Sequence, residues 1–86
     1  MDNKEAVTKL VGMGMGITFK RQGTASLNTY ELFPESNDMF RINATVDEKA
    51  IDETFPFVQN NQQYKQVALN TAVARFFELA FPPKTR

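Results

Sequence analysis

The strongest pattern in this chain is a long amphipathic segment near its C-terminal end, running from Asn60 to Phe81. Apolar residues recur there every three to four positions, which is the period of an α-helix with one face buried against a core. We therefore expect a helix over about residues 60–80. The residues on its wide apolar face are Ala68, Leu69, Ala72, Val73, Phe76, Leu79 and Ala80. A helix with such a face needs a second layer to cover it, and the remaining sequence must supply that layer.

Three upstream segments alternate apolar and polar residues, which is the period of a half-buried β-strand. These segments are residues 17–21, 29–33 and 39–46. The last two are joined by a short stretch that starts with Pro34 and has turn-forming residues at 35–38. We expect them to form an antiparallel hairpin, with Pro34 ending the earlier strand.

A short helix is expected over about residues 3–12, because Ala6, Val7 and Leu10 recur at helical spacing and Gly12 can end the helix. The elements together predict an α+β fold in a single domain spanning residues 1–86. Its sheet would have three antiparallel strands, and the short N-terminal helix and long C-terminal helix would pack on one face of it.

The segment from Asp47 to Gln59 has no clear period. We interpret its first six residues, up to Asp52, as a single helical turn. The apolar stretch 55–58 is interrupted by Pro56, which suits an edge strand or a packed loop. Whether residues 17–22 or residues 55–58 supply a strand of the sheet stays open at this point.

The composition removes most kinds of catalytic chemistry. The 86 residues include no histidine and no cysteine, so the usual general base, the common metal ligands and any thiolate nucleophile are missing. The two serines lie in no recognisable nucleophile motif. Paired carboxylates at 47–48 and 52–53 do not have the spacing of a calcium loop, so we interpret them as solvated charges. We expect a protein that is not an enzyme and that binds no cofactor and no metal.

The charge balance and the hydropathy limit the partners. Lysine plus arginine equals aspartate plus glutamate at ten each, which argues against strong nonspecific binding to nucleic acid. No apolar run reaches the length of about 20 residues that a membrane span needs, and the charged N-terminal residues lack the apolar stretch of a signal peptide. We therefore expect a cytoplasmic protein that does not contact a membrane.

Two aromatic residues of the C-terminal segment, Phe77 and Phe81, lie on the flank of its apolar face. Aromatic side chains that a small core leaves exposed are typical of protein interfaces. We predict that both contact a protein partner or a second copy of the chain in a homodimer, with Tyr64 and Lys65 at the rim of the contact.

The order helix, three strands, helix resembles the double-stranded-RNA-binding domain. Four segments are similar to that family's motifs: residues 7–10, 30–33, 40–46 and 64–72. The resemblance implies an αβββα fold and weak binding to an RNA duplex, for which the candidate contacts are Lys9, Lys20, Arg21 and Lys65. The chain departs from the family at Gln66 and Leu69, which stand where two further lysines are expected, and in the acidic hairpin turn. Degenerate members of this kind often bind proteins.

These observations favour a small non-catalytic interaction module that binds a protein partner, or itself, through the flank of its C-terminal helix. Weak binding to double-stranded RNA is one alternative. A small regulator or inhibitor that caps a site on another protein is a second.

Overall fold

The computed structural model describes residues 3–36 and 38–82. Two helices flank a run of strands along the chain. The elements are α1 (Asn3–Gly12), β1 (Ile17–Gln22), β2 (Leu27–Glu35), β3 (Met39–Val46), β4 (Lys49–Pro56) and α2 (Gln62–Ala80). The predicted α+β class, with an antiparallel sheet and a short and a long helix, is confirmed.

The sheet has four strands in the order β1-β2-β3-β4, and every neighbouring pair is antiparallel. The prediction of three strands is therefore wrong, as is the helical turn predicted at 47–52. Val46 pairs with Lys49, so Asp47 and Glu48 form a two-residue hairpin turn with φ of 52° and 69°. Positive φ at both positions matches the right-handed twist of the flanking strands, which lets β3 continue directly into β4.

Pro34 lies inside β2 opposite Phe40 and does not end the strand, contrary to prediction. Its position explains why the sheet tolerates it. The pairing of β1 with β2 begins opposite Leu32, so the section of β2 that contains Pro34 has a neighbour only on the β3 side. Proline, which has no N–H to donate, is accepted in such edge positions. The β2–β3 turn follows at residues 36–38, of which Asn37 lies outside the described residues.

One face of the sheet carries the core. Buried residues alternate along β2 and β3, and both helices contact this side of the sheet. The buried residues of the sheet are Asn28, Tyr30, Leu32, Phe40, Ile42 and Ala44, and those of the helices are Val11, Ala68, Leu69, Ala72, Val73, Phe76 and Ala80. The small alanines of α2 let the helix approach the sheet closely. The N-terminus of α2 is capped by Asn61, whose Oδ1 accepts the backbone N–H of Tyr64 at 3.0 Å.

The opposite face of the sheet is mainly polar, although it also carries Leu27, Phe33 and Met39. Arg41 forms ion pairs there with Glu35 on β2 and, at 3.5 Å, with Asp52 on β4. The neighbouring Glu31 and Thr45 are exposed. A face of this kind can be exposed to solvent, so this antiparallel sheet needs a covering layer of helices on one side only.

Candidate protein-binding groove

An open apolar groove lies between the C-terminal end of β4 and the N-terminal half of α2. We call it the β4–α2 groove, and its volume is about 540 Å³. The lining residues are Thr54, Phe55, Pro56, Phe57, Val58, Tyr64, Val67, Ala68 and Thr71. The lining contains no Asp, Glu, Lys or Arg. The groove therefore favours an apolar, uncharged occupant.

Three large apolar side chains of the groove are exposed to solvent. The exposed fractions are 59% for Val58, 59% for Val67 and 55% for Tyr64. Val67 immediately precedes the buried pair Ala68 and Leu69, so it stands outside the core face of the helix and lines the groove. Single exposed apolar residues are ordinary, whereas several along one groove mark a binding surface.

The rim of the groove is formed by β4, which is an edge strand of the sheet. The backbone N–H of Phe57 donates to the Asp38 carbonyl at 2.8 Å, across from β3. Hydrogen bonding alternates along an antiparallel pair, so the odd-numbered residues of β4 bond toward β3 and the even-numbered residues face outward. The backbone groups of Ala50, Asp52 and Thr54 are therefore directed to the open edge, where Pro56 offers only its carbonyl.

A salt bridge joins α2 to β4 at Glu53, the residue that precedes the groove lining. The guanidinium of Arg75 donates to both carboxylate oxygens of Glu53, each at 2.9 Å, and also to Glu78 at 3.1 Å. The hydrogen bonds from Arg75 lower the pKa of Glu53, and those to Glu53 and Glu78 raise the pKa of Arg75. Both shifts favour the ionised forms of Glu53 and Arg75. The bidentate contact fixes α2 against the strand and separates the apolar groove from the charged half of β4.

The structure places the predicted aromatic contacts in a cluster of their own. Phe77 is half-buried, with its ring 5.9 Å from that of Phe76. Phe81 is 47% exposed, and its ring lies 4.7 Å from Phe19 and 5.5 Å from Phe77. Phe81 thus packs against β1, and Phe77 packs between Phe76 and Phe81. Their role in binding a partner stays a prediction, and the exposed part of Phe81 is the surface available for such a contact.

The other two predicted contact residues lie at the opposite end of α2. Tyr64 lines the β4–α2 groove, whereas the adjacent Lys65 is half-buried and lines a separate polar cavity with Asn60 and Ser36. Tyr64 and Phe81 are 17 positions apart, which is about 25 Å along a helix. The structure therefore does not join the aromatic flank and Tyr64 into one surface.

The four basic residues proposed as RNA contacts belong to three elements of the fold. Lys9 is in the last turn of α1 and Lys65 is in the first turn of α2. Lys20 is on the uncovered face of the sheet, because its neighbour Phe19 pairs with the buried Tyr30. Arg21 donates a hydrogen bond to the carbonyl of Ala80 at the C-terminal end of α2. Binding of duplex RNA stays a prediction.

Val58, Val67 and the β4 edge were not among the functional residues predicted from the sequence. One signal was available, since Val67 is a large apolar residue on the polar side of the helical wheel. Within residues 3–36 and 38–82, no group of three or more acidic side chains is arranged to hold a metal ion, and no helix there is long and apolar enough to cross a bilayer. No protein-family model, no curated protein and no solved structure matches this chain.

Proposed function

We propose that this protein is a non-catalytic interaction module whose β4–α2 groove binds a short, uncharged apolar segment of a partner protein. The observation that carries the proposal is the alignment of three exposed large apolar side chains, Val58, Tyr64 and Val67, along a groove that no Asp, Glu, Lys or Arg lines. The proposal keeps the helix flank as the binding element and moves the contact from Phe77 and Phe81 to the opposite flank.

The chemistry of the groove defines its partner. Covering a Val or Leu side chain completely is worth about 1.5–3 kcal/mol. Three side chains that are a little over half exposed therefore offer roughly 3–5 kcal/mol before the cost of ordering the partner segment. The apolar side chains of the partner bury a similar area, which roughly doubles this gain. After an ordering cost of about 2–4 kcal/mol, we expect dissociation constants of about 10 µM to 1 mM, typical of a transient contact.

Recognition in this groove should depend on side chains more than on the backbone. In this part of β4 only Thr54 directs an N–H outward, because Pro56 has none. A partner strand could form few ladder hydrogen bonds there. Two or three large apolar residues in the partner would supply the affinity and the selectivity.

Selection of peptides from a random display library on the immobilised wild-type protein tests the proposal. We expect enriched peptides to carry closely spaced large apolar residues and no charge between them. Val67→Glu should weaken their binding, measured by fluorescence anisotropy, about tenfold, because it removes apolar contact and places a carboxylate in the groove. Met13→Glu is the matched control, because Met13 is 65% exposed and lies outside the groove.

The location of binding is checked by NMR of the amide resonances. The bound peptide should shift the resonances of residues 54–58 and 64–71. Equal binding to wild type and Val67→Glu would contradict the proposal, as would shifts confined to the Phe77 and Phe81 end of the helix.

A further inference from the structure

The first half of β4 presents a second edge surface that the groove does not use. Its residues Lys49 to Glu53 precede the groove lining, which begins at Thr54. The backbone groups of Ala50 and Asp52 face outward here, as the alternation along β4 requires. An edge of this kind pairs with another strand of suitable register and charge.

A second copy of β4 is one such strand, and few two-fold registers are open to it. An axis through Asp52 or Glu53 would place each carboxylate opposite its own copy, and like charges directly opposite destabilise a pair. An axis through Thr54 or Phe55 would draw Pro56 into the interior of the paired strands, where its missing N–H leaves a carbonyl unpaired.

An axis through Ile51 meets neither obstacle. It places Lys49 opposite Glu53 of the second copy, and symmetry repeats this contact, so two pairs of opposite charge form. Ala50 pairs with Asp52 of the second copy, and the two such pairs form four backbone hydrogen bonds. The two Ile51 side chains face each other at the axis, on the helical side of the sheet.

We propose that the chain self-associates as a two-fold antiparallel dimer through β4, with Ile51 at the axis. The complementary charges of Lys49 and Glu53 select this register, and the acidic residues and Pro56 disfavour its neighbours. The two sheets become one sheet of eight strands. The contact is small, so the dimer should be transient and concentration-dependent.

Cysteine cross-linking tests the register directly, because the natural chain contains no cysteine. In a non-hydrogen-bonded antiparallel pair the Cα atoms are about 4.5 Å apart, which is within the disulfide range of about 4.4–6.8 Å. Ile51→Cys should therefore give a covalent dimer on a non-reducing gel. Thr54→Cys is the matched control, because in this register its two copies are about 20 Å apart.

Charge variants in the Ile51→Cys background provide the second arm. Lys49→Glu should lower the yield of cross-linked dimer about tenfold, whereas Lys20→Glu, the same charge change at an exposed position of β1, should leave it unchanged. Sedimentation equilibrium of the cysteine-free chain should show association that Lys49→Glu removes. Three results would each overturn the proposal. They are cross-linking at position 54 instead of 51, equal cross-linking at both positions, and a strict monomer in sedimentation equilibrium. Val67→Glu, the groove variant, should not affect the yield of the cross-link. Lys49→Glu, the dimer variant, should not affect peptide binding. The two proposals are therefore tested independently.

Discussion

Substitution of Gly23 by alanine should destabilise this protein strongly, because a single methyl group there would collide with two linked loops. A Cβ atom at Gly23 would lie 2.8 Å from the carbonyl oxygen of Ser26, and 2.9 Å and 3.0 Å from the amide nitrogen and oxygen of the Asn28 side chain. The Gly23 N–H donates to the same Ser26 carbonyl at 2.8 Å and closes the β1–β2 loop. The buried Asn28 side chain accepts the N–H of Asp47 at 2.9 Å and ties this loop to the β3–β4 turn.

The size of the effect follows from these two hydrogen bonds. Loss of the loop bond costs about 0.5–1.5 kcal/mol, and leaving the buried Asn28 amide unsatisfied costs about 1–3 kcal/mol. We expect Gly23→Ala to lower the free energy of unfolding by roughly 2–4 kcal/mol. For a domain of this size that is a fall in Tm of roughly 10–25 °C.

Urea denaturation followed by circular dichroism measures the effect, and a double-mutant cycle with Asn28→Ala isolates its cause. Because the second substitution removes two of the three atoms that the new methyl group approaches, the double variant should be more stable than additivity predicts by about 1 kcal/mol. Gly12→Ala is the control, since its Cβ would approach only the end of the Leu69 side chain, at 3.3 Å, and we expect a change within about 0.5 kcal/mol. If Gly23→Ala is no worse than Gly12→Ala, or if the cycle is additive, the steric reasoning is refuted.

Two further predictions concern α2. The pKa of Glu53 is lower in the folded state than its ordinary value because of Arg75, so the stabilisation is complete above about pH 4.5 and is lost as the pH falls through the folded pKa. We expect wild type to be more stable than Glu53→Gln at pH 7 by less than about 1 kcal/mol, because the ion pair is exposed. Urea denaturation should show that this difference shrinks between pH 7 and pH 3. A difference that grows as the pH falls would contradict the prediction. Phe76→Ala should lower the free energy of unfolding by about 3–5 kcal/mol, because Phe76 is 2% exposed. Phe81→Ala should lower it by only about 1 kcal/mol, because Phe81 is half-exposed. Equal losses of stability in thermal melts would contradict this and would show that the aromatic cluster is as essential as the core.

The long helix could be predicted from sequence because its core face follows the helical period closely. Of the seven residues assigned to that face, only Leu79 is half-buried and the other six are buried. The alternation at residues 39–46 likewise coincides with β3. In both elements the burial is periodic, and periodic burial is the signal that a sequence shows most directly.

The fourth strand could not be predicted in the same way, for two physical reasons. Its turn uses Asp47 and Glu48 at positive φ, where Asn-Gly is the usual signal for a hairpin. Its inward-facing residues include a charge, Glu53, between Ile51 and Phe55, so the alternation does not appear apolar. The charge is compensated by Arg75, 22 positions later in the chain, and a pattern within a short window contains no such partner.

The same salt bridge explains why the candidate surfaces emerge only from the structure. Arg75 holds the carboxylate of Glu53 on the helical side of the sheet, where it divides β4 into a charged half and an apolar half. In the charged half, Glu53 can meet Lys49 of a second copy only if the strand edge and the register are known. In the apolar half, Val58 and Val67 belong to segments nine residues apart and line one groove only because β4 runs along α2. Each surface thus depends on the pairing of β4, the strand that could not be predicted from the sequence.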